Sequence, residues 1–248
     1  MKISIITATY NSAVTVRDTL KSVAGQDYAD IEHIIIDGLS KDNTLDIVRE
    51  FPHVSKVISE KDKGIYDAMN KGVQVATGEV IGILNSDDFY NHPQVLSRVM
   101  ALFSDPAVDT VYGDLQYVQQ DNVQVVTRTW KSGGFRPRSF YYGWMPPHPT
   151  FFVRRQVYDK AGLFDLSLRS AADYELMLRM LLKHGATAGY VQEVLVKMRA
   201  GGMSNASLKN RLKANQEDRR AWEMNGLQPY FFTLWLKPLR KIFQFINR

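Results

Sequence analysis

One segment of the chain reads Glu79-Val80-Ile81-Gly82-Ile83-Leu84-Asn85-Ser86-Asp87-Asp88-Phe89. Its apolar half is typical of a central strand buried on both faces, and the run ends abruptly in polar and acidic residues. Two adjacent carboxylates at the end of a buried strand repel each other unless a cation neutralises them. Ligands of open α/β sheets bind just outside the carboxyl ends of the strands. Asp87 and Asp88 therefore either hold a divalent cation beside a phosphorylated ligand or form a solvated acidic turn.

The composition is that of a globular protein with a large core, since 45% of the 248 residues are apolar and 23% are charged. The absence of cysteine excludes disulfides and thiolate-bound zinc, and it fits a reducing compartment. We expect no signal peptide and no transmembrane helix, because Met1-Lys2 leads directly into an apolar strand and no run of about 18 apolar residues occurs. Four of the five net positive charges lie in residues 229–248. The nearly neutral remainder argues against a nucleic-acid-binding protein.

Strand and helix patterns alternate along the first half of the chain. Apolar runs predict strands, and apolar residues at helical spacing predict the helices between them. The predicted strands cover 3–6, 31–36, 54–59 and 80–84, and the predicted helices cover 16–23, 43–51 and 65–76. Strands and helices that alternate at this spacing pair in parallel through right-handed crossovers. We therefore predict an α/β fold with a Rossmann-like, doubly wound, mostly parallel sheet.

The second half of the chain is less regular. The predicted elements are a helix after His92-Pro93, a strand at 109–113, a hairpin over 115–128 that turns at Asp121-Asn122, a helix at 172–183, a strand at 191–198 and a basic helix from Ser204 to Met224. Residues 131–149 lack any periodicity, and loops of that length within a compact domain are usually functional. A tail begins at Pro229.

Polar clusters follow four successive predicted strands directly. They are Thr7–Asn11, Asp37-Gly38, Glu60–Gly64 and Asn85–Asp88. Because the carboxyl ends of parallel strands meet at one edge of a sheet, we expect these clusters to share one crevice. Asp37 can accept hydrogen bonds from a base or ribose there, or it can cap the turn before the next helix. The Asp87 and Asp88 pair suits Mg²⁺ or Mn²⁺, whose oxygen shells combine a carboxylate or two with phosphate and water oxygens.

The order of these motifs resembles that of the family 2 glycosyltransferases of GT-A fold, including bacterial enzymes of surface-polysaccharide synthesis. The motifs are Thr7-Ala8-Thr9-Tyr10-Asn11, the run from Ile35 to Thr44, the run from Glu60 to Gly72, and Leu84-Asn85-Ser86-Asp87-Asp88. The resemblance covers residues 1–205, with a nucleotide-binding half at 1–114 and an acceptor-side half at 115–205. A helical extension at 206–248 follows. The resemblance implies an inverting transferase that uses a nucleotide-diphosphate sugar and a divalent cation.

The resemblance also assigns roles to individual residues. By motif position, the nucleotide contacts are Asp37 and Asp62, with Thr7, Thr9 and Tyr10 along the base and ribose. Asp88 would be the main metal ligand, and Asp87 would lie close to the ribose and the donor sugar. Asp173 falls at the position of the family's catalytic base.

The sequence departs from the family pattern in two places. The usual Asp-Gly-Ser-Ser reads Asp37-Gly38-Leu39-Ser40 here, and the base motif, often Glu-Asp, reads Ala172-Asp173. If the base is the second residue of that motif, it is preserved. If the chain relied on the first residue, the assignment of Asp173 fails.

The chemistry of an inverting transfer agrees with these residue types. A single displacement needs one carboxylate to take the proton of the acceptor hydroxyl as that hydroxyl attacks the anomeric carbon. It also needs positive charge on the leaving diphosphate, which a bound cation supplies. Asp173 has an alternative explanation, because the helix dipole favours an acid in the first turn of a helix.

Two further groups are candidates for contacts with a phosphate, the acceptor or the metal. His148 lies between Pro147 and Pro149 in the long loop, where it either contacts a ligand or has no role in binding. The run Gly201-Gly202-Met203-Ser204 either presents backbone N–H groups to a diphosphate or only leads into a helix capped by Ser204.

The tail mixes apolar and aromatic residues with four basic residues, a composition that suits an anionic cytoplasmic membrane surface. The alternatives are a helix that packs on the body or on a second copy of the chain as a homodimer. Pro238 is expected to divide the tail into two short helices.

Together these observations predict a cytoplasmic glycosyltransferase, peripheral on the inner face of the membrane, that moves a sugar from a UDP-sugar to a polyprenyl-linked or growing glycan of a surface polysaccharide. One alternative is a glycosidase, which would also use paired carboxylates but needs neither nucleotide nor cation. Another is a nucleotide-sugar-binding module without catalysis, for which Ala172 is the only indication.

Overall fold

The N-terminal half forms parallel strands joined by helices, as its alternating pattern predicts. The computed structural model describes residues 1–201 and 208–243. The strands are β1 (Ile3–Thr9), β2 (Ile31–Asp37), β3 (Val54–Ser59) and β4 (Val80–Ile83), and the helices are α1 (Val16–Ala24), α2 (Thr44–Arg49) and α3 (Ile65–Val75). The strands lie in the order β3-β2-β1-β4, and every pair is parallel.

Burial within this half explains the apolar runs. All residues of β1 and β4 are buried, because these strands lie inside the sheet and are covered on both faces. β3 lies at the edge of the sheet, and most of its residues are exposed. The register pairs Thr9 with Asp37 and Asp37 with Ser59, so the last residues of three strands form one row.

The second half extends the sheet with mixed pairing. Its strands are β5 (Phe89–Tyr90), β6 (Thr110–Val118), β7 (Val126–Trp130), β8 (Phe152–Arg154) and β9 (Ala188–Arg199). The order continues β4-β8-β6-β9-β5, and β7 pairs with β6 as the predicted antiparallel hairpin. β8 is antiparallel to both β4 and β6, whereas β6 and β9 are parallel. The prediction of an α/β, mostly parallel sheet with a small hairpin is confirmed.

The helices of the second half cover the sheet and extend beyond it. They are α4 (Val95–Leu102), α5 (Arg155–Ala161), α6 (Ala172–Leu178), α7 (Leu208–Met224) and α8 (Thr233–Phe243). α6 continues as a wider π-helical turn at Arg179–Lys183. Two short 3-10 helices, Pro137–Tyr142 and His148–Thr150, lie in the long irregular loop. No helix in the part of the chain that the structure describes is long and apolar enough to cross a membrane.

The C-terminal helices are packed against the body. α7 buries Ala221 and Trp222 fully in the core that also contains α6, and Leu234 of α8 joins the same core. The prediction that Pro238 divides the tail is wrong, since α8 continues through it. Gly143 lets the α8 backbone at Leu236 and Lys237 approach so closely that a Cβ at this glycine would collide with it.

Candidate functional site

The carboxylate of Asp37 ends β2 and is completely buried. It accepts four hydrogen bonds from the protein. Thr9 Oγ1 (3.1 Å) and Ser40 Oγ (2.5 Å) donate to Oδ1, and the Ser40 N–H (3.0 Å) and Ser59 Oγ (2.7 Å) donate to Oδ2. A carboxylate has about four acceptor positions. Asp37 therefore caps its own turn, and its contact with a nucleotide stays a prediction.

Tyr10 and Asp62 meet beside this turn, across Gly38. A Cβ at Gly38 would collide with the Asp62 carboxylate and would contact the Tyr10 ring. Asp62 is held by the N–H of Gly64, which donates to its Oδ1 at 2.8 Å. The Tyr10 side chain is exposed. An exposed ring and a carboxylate beside a bare backbone are suited to a planar, hydrogen-bonding ligand.

Thr7 lies apart from this group. Its side chain is fully buried, with Oγ1 3.1 Å from Nε2 of His33. Nδ1 of His33 is in turn 3.0 Å from Nε2 of His53. Burial lowers the pKa of His33 to about 3, and the charge of His53 adds to this effect. Thr7 therefore belongs to the interior of the sheet, and its predicted contact with a base stays a prediction.

The acidic turn after β4 is organised differently. Thr19 Oγ1 of α1 donates to the Asp88 carbonyl at 2.7 Å, and Asn85 Nδ2 donates to Oδ2 of Asp88 at 2.9 Å. Asp88 is completely buried. Oδ1 of Asp88 and Oδ1 of Asn85 are buried without a hydrogen-bond partner among the residues that the structure describes. Buried polar atoms without partners are rare in folded proteins, and each calls for an explanation.

The pKa values of both acids in this turn are raised. Burial raises the pKa of Asp88 well above its usual range, and the charge of Asp87 adds to this, while Asn85 and Arg199 oppose it. Burial also raises the pKa of Asp87. Two acids whose ionised forms are disfavoured by burial and by each other form a site that gains free energy when a cation binds.

Arg199 connects the turn to β9, and the sequence analysis did not identify it. Its guanidinium donates to the Asp87 carbonyl at 2.7 Å, pairs with the Asp18 carboxylate and lies 5.2 Å from the centre of the Phe89 ring. Arg199 is nearly buried. No motif indicates this contact, because 112 residues separate the two partners.

The oxygen donors of the turn fit a hard divalent cation. Mg²⁺ and Mn²⁺ prefer carboxylate, amide and phosphate oxygens, and Mg²⁺ commonly takes only one or two ligands from the protein. The unpaired oxygens of Asp88 and Asn85 are of that type. No group of three or more His, Cys, Asp or Glu side chains that could hold a metal occurs among residues 1–201 and 208–243. A cation at Asp88 therefore needs further oxygens from a bound phosphate or from water.

A second cluster lies at the start of α6. Tyr66 Oη of α3 donates to Oδ1 of Asp173 at 3.2 Å, and the Tyr66 ring stacks on Phe164 with centroids 5.5 Å apart. His148 contacts the Phe164 ring edge-on at 5.6 Å. Burial lowers the pKa of His148, and the charge of Asp173 partly opposes this. The structure therefore brings together His148 and Asp173, which the sequence analysis named separately. The preceding Ala172 is fully buried.

Tyr117, at the end of β6, has a pKa that both acidic clusters influence. Burial raises its pKa, the Arg128 guanidinium opposes this, and the charges of Asp88 and Asp173 both add to the rise. Cζ of Arg128 lies 3.6 Å from the centre of the Tyr117 ring. The tyrosine is thus within electrostatic reach of both carboxylates. The sequence places Tyr117 in an ordinary hairpin and gives no signal for this position.

The predicted diphosphate contact at Gly201-Gly202-Met203-Ser204 lies mostly outside the described residues. Gly201 is exposed and has a φ of 118°, a backbone conformation that favours glycine. Gly202 and Ser204 belong to residues 202–207, which are not described. The predicted role of this run in diphosphate binding stays a prediction.

Comparison with known proteins adds to this geometry. Residues 4–162 match the family described as Glycosyl transferase family 2. The PGL/p-HBAD biosynthesis glycosyltransferase of Mycobacterium tuberculosis is 32% identical over 208 residues, which cover 82% of this chain and 78% of that protein. An uncharacterized glycosyltransferase of Nostoc is 34% identical over 186 residues, which cover 66% of this chain and 54% of that protein.

Solved structures show the same fold. Staphylococcus aureus TarS in complex with UDP-GlcNAc superposes with a TM-score of 0.70 at 19% identity, covering 91% of this chain and 65% of that chain. The mannosyltransferase PcManGT of Pyrobaculum calidifontis, in complex with GDP-Man and Mn²⁺, gives a TM-score of 0.67 at 20% identity and covers 96% of this chain and 72% of that chain. At these identities the likeness concerns the fold.

Proposed function

The chain belongs to glycosyl transferase family 2 and is a glycosyltransferase, and from that premise we propose that it transfers a sugar from a UDP-sugar to a lipid-linked or growing glycan with inversion. The observation that carries this proposal is the completely buried Asp88, whose Oδ1 has no hydrogen-bond partner among the described residues. A cation site and a candidate base on one crevice are what a single displacement requires. The complexes of TarS with UDP and UDP-GlcNAc support the choice of nucleotide.

The nucleotide lies on the β1–β3 side of the crevice. Tyr10 and Asp62, which meet across Gly38, contact the base and ribose. Thr9 and Asp37 hold the turn beneath them. Asp37 itself reaches the nucleotide only if it gives up one of its four protein donors.

The diphosphate lies beside the turn after β4. Asp88 as the main ligand, with Asp87 beside it, would hold Mg²⁺ or Mn²⁺, and the cation would neutralise the charge that develops on the leaving diphosphate. Thr19, Asn85 and Arg199 keep the turn in place through the hydrogen bonds described above. PcManGT, whose complex contains GDP-Man and Mn²⁺, supports a divalent cation in this fold.

The acceptor enters on the α6 side. Asp173 takes the proton of the attacking hydroxyl, and the hydrogen bond from Tyr66 fixes the orientation of its carboxylate. His148 lies in the same cluster, where it is held against Phe164 and senses the Asp173 charge. We therefore assign it a contact with the acceptor rather than with the nucleotide.

The substitution Asp173→Asn tests this assignment. We expect turnover of the UDP-sugar to fall by roughly 10²- to 10⁴-fold, the usual contribution of a general base. The affinity for UDP with Mn²⁺, measured by titration calorimetry, stays within about twofold, since Asp173 contacts no nucleotide (a factor of two is only about 0.4 kcal/mol). Asp159→Asn on the exposed side of α5 is the matched control. A turnover near that of the wild type in Asp173→Asn means that another group is the base.

We also propose that the enzyme works at the cytoplasmic membrane surface. The aromatic patch (Tyr142, Tyr230, Phe231, Trp235 and Leu239) exposes large apolar side chains on and beside α8. Phe231 is 89% and Trp235 71% exposed. Interfacial segments combine such side chains with basic residues, here Arg240. Lys237 does not contribute, because it pairs with Asp218 at 2.6 Å.

Point substitutions test the membrane proposal better than deletion of residues 229–248, which would also remove the buried Leu234 and the Lys237 ion pair. The combined variant Phe231→Ser, Trp235→Ser and Leu239→Ser should no longer float with phosphatidylglycerol vesicles. Val14→Ser, at another highly exposed apolar residue, should float like the wild type. Unchanged flotation of the triple variant contradicts the proposal. A change from dimer to monomer in sedimentation would instead assign the patch to a second copy of the chain.

A further inference from the structure

The helix that carries Asp173 has no cap of its own. The first N–H groups of a helix lack partners within the helix, and a Ser, Thr, Asp or Asn side chain usually accepts from them. In α6 the residue at this position is Ala171, which provides no side-chain hydrogen bond. The geometry of the turn that positions Asp173 must therefore be fixed from elsewhere.

Glu217 of α7 supplies an acceptor to the residues directly before the helix. Its Oε2 accepts from the N–H groups of Arg169 (3.1 Å), Ser170 (2.8 Å) and Ala171 (3.1 Å). The Ser170 hydroxyl donates to the same oxygen at 2.9 Å. Burial acts to raise the pKa of Glu217, but these hydrogen bonds outweigh it, so the pKa lies below its usual value. Glu217 is thus ionised at neutral pH and binds the start of α6 as a charged acceptor.

Other side chains of α7 and α8 hold the rest of α6. Trp222 Nε1 donates to Tyr174 Oη at 2.9 Å, and Asn225 Nδ2 donates to Glu175 Oε1 at 3.0 Å. Nζ of Lys237 lies 3.6 Å from the centre of the Tyr174 ring. These contacts fix the body of the helix, whereas Glu217 accepts hydrogen bonds from the segment directly before Ala172.

The loop that leads into α6 is also held at its other end. Asn70 of α3 donates from Nδ2 to the Phe164 carbonyl at 2.9 Å, and its Oδ1 accepts from the Phe164 N–H at 2.9 Å. Phe164 stacks on Tyr66, which donates to Asp173. Asn70 and Glu217 together therefore define the path of residues 164–171 and, through it, the place of the Asp173 carboxylate.

We propose that Glu217 is a positioning residue of the transfer reaction, which holds residues 169–171 at the entry to α6 so that Asp173 remains beside Tyr66. This inference rests on the proposed role of Asp173 as the base. A base must lie within hydrogen-bond reach of the proton that it takes, and a displacement of about 1 Å can reduce the rate on the order of 10²-fold. Nothing in the sequence around Asp173 indicates Glu217, since 44 residues separate the two (217 − 173 = 44).

The test compares Glu217→Ala and Glu217→Gln with Glu223→Ala, which removes an exposed acid from the same helix. Each variant is assayed as the full chain with Mn²⁺ and the UDP-sugar that the wild type consumes fastest, in the presence of a membrane lipid extract as acceptor. We expect Glu217→Ala to lower kcat about tenfold or more and to leave the KM for the UDP-sugar within about twofold. Glu217→Gln keeps an acceptor oxygen and should recover most of the kcat. Glu223→Ala should match the wild type.

Hydrogen exchange of residues 169–175 separates positioning from a loss of folding. In Glu217→Ala this segment should exchange faster while the strands of the sheet keep their protection, and in Glu217→Gln it should stay close to the wild type. An unchanged kcat in Glu217→Ala overturns the inference and leaves the proposed function intact if Asp173→Asn is inactive. The inference is also overturned if Glu217→Ala lowers kcat and raises KM together and Glu217→Gln recovers neither. An active Asp173→Asn contradicts the proposed base itself.

Discussion

Asp37 and Asp88 occupy similar places but are treated differently by the fold. Both are completely buried carboxylates at the carboxyl end of the same parallel region of the sheet. Asp37 accepts four hydrogen bonds from Thr9, Ser40 and Ser59. Asp88 accepts one side-chain hydrogen bond, from Asn85, and its Oδ1 has no partner in the described part of the chain. The first carboxylate is satisfied by the protein, and the second leaves an oxygen for a partner from outside it.

This difference shows that a buried carboxylate needs hydrogen-bond donors from the protein or a cation from outside it. An ionised carboxylate in a low dielectric is stable only with several donors or a cation. The ends of β1 and β3 and the turn after β2 provide donors to Asp37. The turn after β4 provides few, so its acids have raised pKa values and gain most when a cation binds.

The largest expected effect is a loss of UDP affinity when Asp88, but not Asp37, is regarded as the ligand of the cation. In Asp88→Ala the affinity for UDP in the presence of Mn²⁺ should fall by about 100-fold or more, roughly 2.7 kcal/mol, because the main ligand of the cation is removed. Titration calorimetry with and without Mn²⁺ measures this effect. Unchanged affinity would exclude Asp88 as the ligand and remove the contrast with Asp37.

The next effect concerns folding stability. Asp37→Ala leaves three hydroxyls and the Ser40 N–H without their acceptor, so the free energy of unfolding should fall by about 2 kcal/mol or more. Urea denaturation followed by circular dichroism measures this change. Asp88→Ala serves as the comparison, because it removes one acceptor and one unfavourable buried charge, and it should lose much less. Equal losses in the two variants would contradict the distinction between them.

A smaller effect is a pH dependence specific to Asp88. Its pKa is raised by burial and by Asp87, so the folded protein binds this proton more tightly than the unfolded chain. Without metal, this one group therefore lowers stability as the pH rises from the ordinary carboxyl range through the raised pKa. Asp88→Asn cannot ionise, so its melting temperature should exceed that of the wild type at neutral pH, by an amount that shrinks toward pH 4. Mn²⁺, which competes with the proton, should bind the wild type more tightly as the pH rises. A melting-temperature difference that does not vary with pH would show that Asp88 has an ordinary pKa.

The smallest expected effect is a change in folding stability from backbone strain in the turn after β2. Leu39 has a φ of 63°, in the left-handed region that side chains with a Cβ rarely adopt. Leu39→Gly should relieve this strain and raise the free energy of unfolding by about 1 kcal/mol or less. The melting temperature measures it, and Asn11→Gly, at a residue with a φ of 50°, provides a contrast because it also removes the acceptor of the Lys41 N–H (2.8 Å). A loss of stability in Leu39→Gly would mean that packing of the leucine outweighs its backbone strain.

The sequence predicts the N-terminal half well because its signals are local. Buried parallel strands give continuous apolar runs, and the polar clusters that end them are adjacent in sequence to those runs. The sequence does not predict β8. It has only three residues and turns directly into α5, so it shows no period, although it lies between β4 and β6 in the sheet.

The candidate site was only partly predictable for the same reason. The residues of the strand-end motifs could be named, but the four donors on Asp37 and the place of Thr7 beside His33 depend on strand register. Tyr117, Arg199 and Glu217 act through contacts between distant segments. Neither motif nor periodicity reports such contacts, so these residues could be found only in the structure.

The central claim, a metal-assisted nucleotide site at the turn after β4, is tested most directly by melting the wild-type protein with UDP, GDP, dTDP, CMP and ADP, each with and without Mn²⁺. A ligand that binds only the folded state stabilises it by about 2.7 kcal/mol at 100 times its Kd. We predict a clear rise in melting temperature with UDP that requires Mn²⁺. If no nucleotide raises the melting temperature under either condition, the turn does not bind a nucleotide with its cation and the proposed function is contradicted.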